Sequence, residues 1–380
     1  MASALKISFK LFLVKLILIG TDSSVSSPNW TLEHSIILQD DNITYCPDSY
    51  DMFPCSCGGS YGRIYITCYG IVDGHVLDRI LSLPYPYSNM TQLDVYSSVV
   101  GDLNSTFLYD NTFETISLVS SGITSIGEGA FDHCQSMLRH LSLGGNPLGT
   151  FPFDQLPQFH QLEALGLGST KLSDISGLVD LPPMFNMDDL QLSSNKLTHL
   201  PDNVFFSVPH LGFLNLAYNS LTSLPPGVFL PLVKLQMLYL NNNDIHHLPM
   251  GSFWFSTPIL RVVDFRYNKL EQVDPDVFSG IDHGTQFDFS FNQLGNKFPF
   301  EVYGPLVHTV SDYHGGYIDI IGTGNRPECD CGVAWFVTDQ SYLDHVLVSR
   351  CANRTLITKL NKEVLLEECI NNSTATHTLW

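Results

Sequence analysis
Nine cysteines are the residues of this 380-residue chain best placed to do chemistry, and their spacing sorts them. Cys46, Cys55, Cys57 and Cys68 form one quartet, Cys329, Cys331, Cys351 and Cys369 form a second, and Cys134 stands alone. A quartet of thiols can close disulfides or hold zinc. Single-residue gaps in Cys55-Ser-Cys57 and Cys329-Asp-Cys331, behind a secretory leader, favour disulfides, so no metal is expected. Spacing does not give their connectivity. Cys134, in Phe131-Asp-His-Cys134, reads as a buried small apolar residue, with an intermolecular disulfide to a partner subunit as the alternative. Asp244, His246 and His247 suggest a metal or acid–base site, but they fall where solvent-exposed polar residues are ordinary. No nucleophile elbow, phosphate-cradling glycine loop or His-Glu-x-x-His pattern occurs, so the chain is not expected to be an enzyme or to need a cofactor.

The environment of those thiols is set by the first residues. Lys6, Lys10 and Lys15 flank or interrupt the apolar run Leu11 to Ile19, which ends in Gly20 and a small polar stretch. This reads as a signal peptide over residues 1–26, too short and too charged to be a membrane span. Removing residues 1–20 takes away three lysines and no acids, moving the formal net charge from −20 to −23. Such a surface argues against nucleic acid, polyanions and anionic lipid as partners and is compatible with basic or neutral ones. Sequons at Asn29, Asn42, Asn89, Asn104, Asn353, Asn371 and Asn372 crowd both ends and agree with secretion. No span follows Cys369, and the tail over 370–380 is too polar for a lipid-anchor signal, so a stable membrane span is not expected.

Between the quartets one sentence recurs: MDDLQLSSNKLTHLPDNVF, LGFLNLAYNSLTSLPPGVF, LQMLYLNNNDIHHLPMGSF, LRVVDFRYNKLEQVDPDVF. Alternation across Leu214-Asn215-Leu216 has a period of two, so a short strand sends its leucines to one side and its variable residues to the other. A buried leucine is worth roughly 1.5–3 kcal/mol, and one repeat has nothing to bury it against. Stacking is therefore obligatory. Asn195, Asn219, Asn243, Asn268 and Asn292 sit where the chain turns inward, and a carboxamide can serve the unpaired donors and acceptors there. The frame extends through Leu93, Ile116, Leu141, Leu165, Leu190, Leu214, Leu238, Val263 and Phe287, at spacings of 23 to 25 residues. Ser98, Ser121 and Thr170 replace the asparagine in outer copies, while Asn146 keeps it. A final frame over Tyr317, Ile320, Gly322 and Asn325 would lie 33 residues beyond Phe287, which implies a projecting insertion between Gly295 and Gly316.

These repeats are identified as leucine-rich repeats, and the quartets resemble the cysteine-rich flanks of extracellular members of that family. The resemblance implies pairing of first with third and second with fourth cysteine: Cys46 to Cys57, Cys55 to Cys68, Cys329 to Cys351 and Cys331 to Cys369. The opening Cys46-Pro-Asp-Ser-Tyr-Asp-Met-Phe-Pro-Cys55-Ser-Cys57 is similar to that of secreted arthropod proteins that include the non-catalytic subunit of a shrimp luciferase. That narrower likeness implies a small catalytic subunit as partner.

The expected fold is an α/β repeat solenoid, a curved horseshoe with a parallel concave sheet and disulfide-stapled caps. Its parts are an N-terminal region and cap over 27–70, repeats over 71–295, the insertion and last repeat over 296–328, and a C-terminal cap over 329–369. Variable strand positions face the concave side. In early repeats they are small or polar: Ser142, Gly144, Gly145, Gly166, Gly168, Ser169, Ser193 and Ser194. Later ones carry Phe213, Tyr218, Tyr239, Asn241, Asn242, Asp264, Arg266, Tyr267, Asp288 and Phe291. Tyrosines beside an arginine suit a binding surface, although aromatics on a sheet also pack against one another. The expected function is non-catalytic recognition of an extracellular protein. The alternatives are an accessory subunit of a secreted luciferase-like complex and a carbohydrate-binding immune recognition protein.

Overall fold
The computed structural model of the chain describes residues 46–60, 63–281, 284–295, 298–311, 317–319, 324–325, 327–344 and 350–372. The leader, Asn29, Asn42, Ile320 and Gly322 lie outside the described residues.

The leucine alternation becomes a twelve-stranded sheet in which every strand pairs with the next one in the chain. Its early strands are β1 (Cys55–Ser60), β2 (Arg63–Tyr69), β3 (Asn89–Tyr96), β4 (Thr112–Val119), β5 (His140–Ser142) and β6 (Ala164–Gly166). Its later ones are β7 (Asp189–Gln191), β8 (Phe213–Asn215), β9 (Met237–Tyr239), β10 (Val262–Asp264), β11 (Gln286–Asp288) and β12 (Tyr317–Asp319). Only β1 and β2 are antiparallel; from β2 onward the sheet is parallel. The nine frame residues from Leu93 to Phe287 are cross-strand partners in turn, all buried beneath the sheet.

The asparagines lock each turn to the preceding repeat. Asn243 Nδ2 donates to the carbonyls of Leu216 at 3.0 Å and Leu240 at 2.9 Å, while its Oδ1 accepts from Leu221 N–H at 3.0 Å. Asn146, Asn195, Asn219, Asn268 and Asn292 make the same three bonds. Where threonine replaces asparagine, the Thr170 hydroxyl covers one carbonyl, that of Leu167, at 2.7 Å. On the far side of the core Phe205, Phe229, Phe253 and Phe278 stack at 5.9 to 6.3 Å from one repeat to the next.

Two sequence expectations are corrected at the C-terminal end. Phe287 pairs with Ile318, not Ile320, so the last frame comes 31 residues later instead of 33. Asn325 still takes the ladder position, donating to Phe289 O at 2.9 Å, seven positions after Ile318 where Asn292 follows Phe287 by five. The described part of the insertion does not project. Phe300–Ser311 is an α-helix that buries Val302, Tyr303, Leu306 and Val307, with Phe298 buried just before it. Gly304 makes this possible: a Cβ there would meet Phe300 Cε2 at 2.5 Å. The Phe300 ring instead folds over the helix and meets Trp335 edge-on at 5.3 Å, and Trp335 Nε1 donates to Phe298 O at 2.8 Å. The insertion is thus part of the seam between the repeats and the C-terminal cap.

Four disulfides staple the ends: Cys46–Cys57, Cys55–Cys68, Cys329–Cys351 and Cys331–Cys369. Cys134 is fully buried, its Sγ accepting from Phe113 N–H at 3.2 Å, as expected of a small apolar residue and against the alternative of an intermolecular cross-link. Among the described residues no helix is long and apolar enough to cross a membrane.

Candidate functional site
The open face of the sheet is built from two kinds of position. In each three-residue strand from β7 to β9 and in β11 the middle side chain is buried and its neighbours are half-exposed. This places Phe213, Tyr239 and Asp288 on that face, and the register puts the buried Asp264 in line with them. Phe213 and Tyr239 meet diagonally across adjacent strands at 5.3 Å. Asn215, Tyr239, Asp264 and Asp288 share one row across β8 to β11.

The second kind of position lies just before each ladder asparagine, where the chain must turn. Ser194, Tyr218, Asn242, Tyr267 and Phe291 occupy it in successive repeats, all with φ between +56° and +58°. That left-handed backbone suits glycine and asparagine and costs other L residues roughly 1–2 kcal/mol each. Serine or glycine holds it in the earlier repeats at Ser120, Gly145 and Ser169. From Tyr218 onward three of the four positions are aromatic, Asn242 being the exception, and the rings point to solvent: Tyr218 is 57% exposed, Tyr267 48% and Phe291 39%. Tyr267 and Phe291 stack face to face at 4.3 Å.

Arg266 stands between the two columns. Its Nε and Nη2 reach Asp264 Oδ1 and Oδ2 at 2.9 and 2.7 Å, and Asp288 Oδ2 lies 3.5 Å away. Hydrogen bonding to Asp264, then the charges of Asp264 and Asp288, hold the guanidinium well above its ordinary pKa despite partial burial. Asp264 is only 5% exposed, so its role is to aim Arg266; the arginine itself remains open to solvent. Asn241 adjoins this pair, its carbonyl accepting from Tyr218 N–H at 2.9 Å. The candidate residues, Asn242 among them, therefore occupy neighbouring strand and turn positions over β8 to β11, with Asp264 as a buried support.

The other sequence candidates scatter. His247 Nε2 lies 2.9 Å from Asp274 Oδ1 on a separate two-stranded ladder, where hydrogen bonds from His247 and Gln272 hold the Asp274 carboxyl below its usual range. Among the described residues no group of three or more potential ligands could hold a metal. Asn89, Asn104 and Asn353 are exposed, and Asn371 and Asn372 end the helix Lys362–Asn372.

Sequence reasoning passed over two features of the earlier repeats. Tyr69 and Tyr96 stack at 5.2 Å on β2 and β3. A cavity of about 490 Å³ opens beside the starts of β5 to β7, lined among others by His140, Glu163, Asp188, Asp189, His210 and Lys234. Glu163, Asp188 and Asp189 occupy the variable pair that precedes the strand leucine in every frame, so the repeat frame itself could have flagged them.

A sequence model described as "Leucine rich repeat" matches residues 185–245. The chain is 26% identical over 180 residues to the Oplophorus-luciferin 2-monooxygenase non-catalytic subunit of Oplophorus gracilirostris, covering 46% of this chain and 48% of that protein. It thus spans about half the length of that curated relative. Its structure is similar to the TLR13–ssRNA13 crystal structure, with a TM-score of 0.53 at 22% identity, covering 68% of this chain and 40% of that one. Repeat match, strand order and structural likeness agree: the chain has the leucine-rich repeat fold, a parallel-sheet solenoid with disulfides at both described ends.

Proposed function
We propose that this protein is a secreted, non-catalytic scaffold that recognises an extracellular protein through the open face of β8 to β11. The observation that carries the reading is the run of exposed rings at Tyr218, Tyr267 and Phe291 on left-handed backbone. The fold gains little from the solvent-facing Tyr218 ring, and earlier repeats fill its position with serine or glycine. Backbone strain kept at an exposed aromatic is a mark of function, and tyrosine beside an aimed arginine is the composition of interface hot spots. Disulfides at both ends suit an oxidising compartment. Exposed Asn89, Asn104 and Asn353 are the proposed glycan acceptors at the flanks, leaving this face bare.

Affinity capture from the protein's native fluid tests the reading. Wild type should retain a partner that the Tyr239→Ala/Arg266→Ala/Tyr267→Ala variant recovers at least about tenfold less well, the size of one hot spot. Equal recovery would place recognition elsewhere. A second reading is favoured by the likeness to a subunit named non-catalytic: the retained partner is a small catalytic chain of a secreted enzyme complex. Enzymatic activity that co-purifies in constant ratio would support it, and a catalytically inert partner would remove it.

A further inference from the structure
The cavity beside β5 to β7 has a chemistry the aromatic face lacks. Asp188 and Asp189 are adjacent there, and among the described residues neither has a cation within ion-pair distance. The cations nearby are otherwise placed. Arg139 is paired to Glu163, His140 Nε2 lies 3.9 Å from the same carboxylate, and Lys234 lines the cavity without bridging to either aspartate. Asp189 Oδ2 receives a long bond from Gln191 at 3.4 Å, while its Oδ1 is buried with no hydrogen-bond partner at all. An orphaned buried carboxylate oxygen is costly and calls for a donor. Desolvation, and then the neighbouring charge of Asp188, lift the Asp189 carboxyl above its usual range against the opposing Gln191 hydrogen bond and the nearby His140.

The walls suit a long side chain with a cationic head. The Phe185 ring is 59% exposed and packs on His210 at 5.1 Å, offering an aromatic surface for an alkyl stem or a planar cation. Gly212 keeps the space beside Asp188 open, since a Cβ there would lie 2.6 Å from Asp188 Oδ1. The same polarity recurs nearer the N-terminus, where Asp94 Oδ1 on the same face is also buried and unpartnered. A sugar would supply donors but no charge to two adjacent carboxylates, and the −20 formal charge of the chain also draws basic surfaces.

We propose that this cavity receives an arginine or lysine side chain of the protein partner, its cationic head between Asp188 and Asp189 and its stem along Phe185. This deepens the proposed recognition function and rests on it for the source of the side chain, but the chemistry can be tested without the partner. Nα-acetyl-arginine amide and its neutral counterpart, Nα-acetyl-citrulline amide, are titrated into the full chain and followed by saturation-transfer difference NMR. The arginine probe should bind saturably, with at least about tenfold loss for citrulline, as expected when a charge-assisted pair becomes neutral. The same loss should follow from Asp188→Asn/Asp189→Asn, an isosteric change at one exposed and one half-buried carboxylate that should leave the fold intact. Equal binding of both probes, undiminished binding to the variant, or no binding of the arginine probe would each overturn the assignment. Failure of partner capture by the aromatic face would leave these readouts untouched, so the two proposals fail separately.

Discussion

Replacing Tyr218 by asparagine should make the fold more stable and partner binding weaker. Tyr218 holds φ +57°, where an ordinary L residue costs roughly 1–2 kcal/mol. Asparagine is far better tolerated there and already fills the same column at Asn242, with φ +58°. The ring is more than half exposed, so little buried area is lost, and the net gain is about 0.5–1 kcal/mol. Unfolding entropy of about 2.1 cal/mol/K per residue over this length converts that to a Tm rise of roughly 1 °C, which replicate calorimetry resolves. Tyr267→Asn is the internal contrast. Its strain relief is offset by loss of the 4.3 Å stack on Phe291, worth about 0.5–1.5 kcal/mol, so Tm should hardly move. Partner capture should fall with both variants. A Tm lowered by 1 °C or more in Tyr218→Asn, with capture unchanged, would show that the ring serves packing, and the strain argument would collapse.

Asn243→Ala strands the buried Leu221 N–H and takes one of two donors from each of the Leu216 and Leu240 carbonyls, which keep Asn219 and Asn268, and should cost roughly 1–3 kcal/mol, read as a lower urea midpoint; a loss below about 0.5 kcal/mol would mean water replaces the carboxamide. Cys331→Ala/Cys369→Ala opens a bridge of sequence separation 38 and should lose up to about 4 kcal/mol on loop-entropy grounds, with the C-terminal cap becoming protease-sensitive before the repeats. Burial raises the Cys134 thiol from 9.0 to about 11. Below pH 9 the thiol is protonated in both states; above it only the unfolded chain ionises, so roughly 2–3 kcal/mol of stability should drain away between pH 9 and 11. Cys134→Ala should flatten that part of the pH profile, and native protein at pH 8 should resist iodoacetamide; rapid alkylation would contradict the burial.

Most of the sheet was legible because each repeat must satisfy the same constraint. A leucine every 24 or so residues has one place to go, so Leu93 through Phe287 could be paired by counting. The insertion was not legible, since Gly304 and Pro305 argue against a helix until the Phe300 ring is seen folding over the missing side chain. Nor was the shift from Ile320 to Ile318, because a degenerate last frame offers no leucine to count from. On the aromatic face, residue types were readable but not their division of labour. Asp264 looked like a contact residue until its two bonds to Arg266 showed it to be a support. The cavity gathers side chains from five consecutive repeats, a proximity that appears only once the strands are laid side by side.

The strictly sequential strand order makes the molecule a ruler. Adjacent strands are about 4.8 Å apart, so Asp189 on β7 and Asp264 on β10 are three steps, roughly 14 Å, from each other. That separation changes in whole steps, by gain or loss of a complete repeat, because extra residues within a repeat leave the strand pairing and the asparagine ladder in place, as they do before Asn325. A partner that uses both the acidic cavity and the aromatic column must carry its basic and apolar anchors at the matching interval. Lineages that change the number of repeats between them would be expected to change partners.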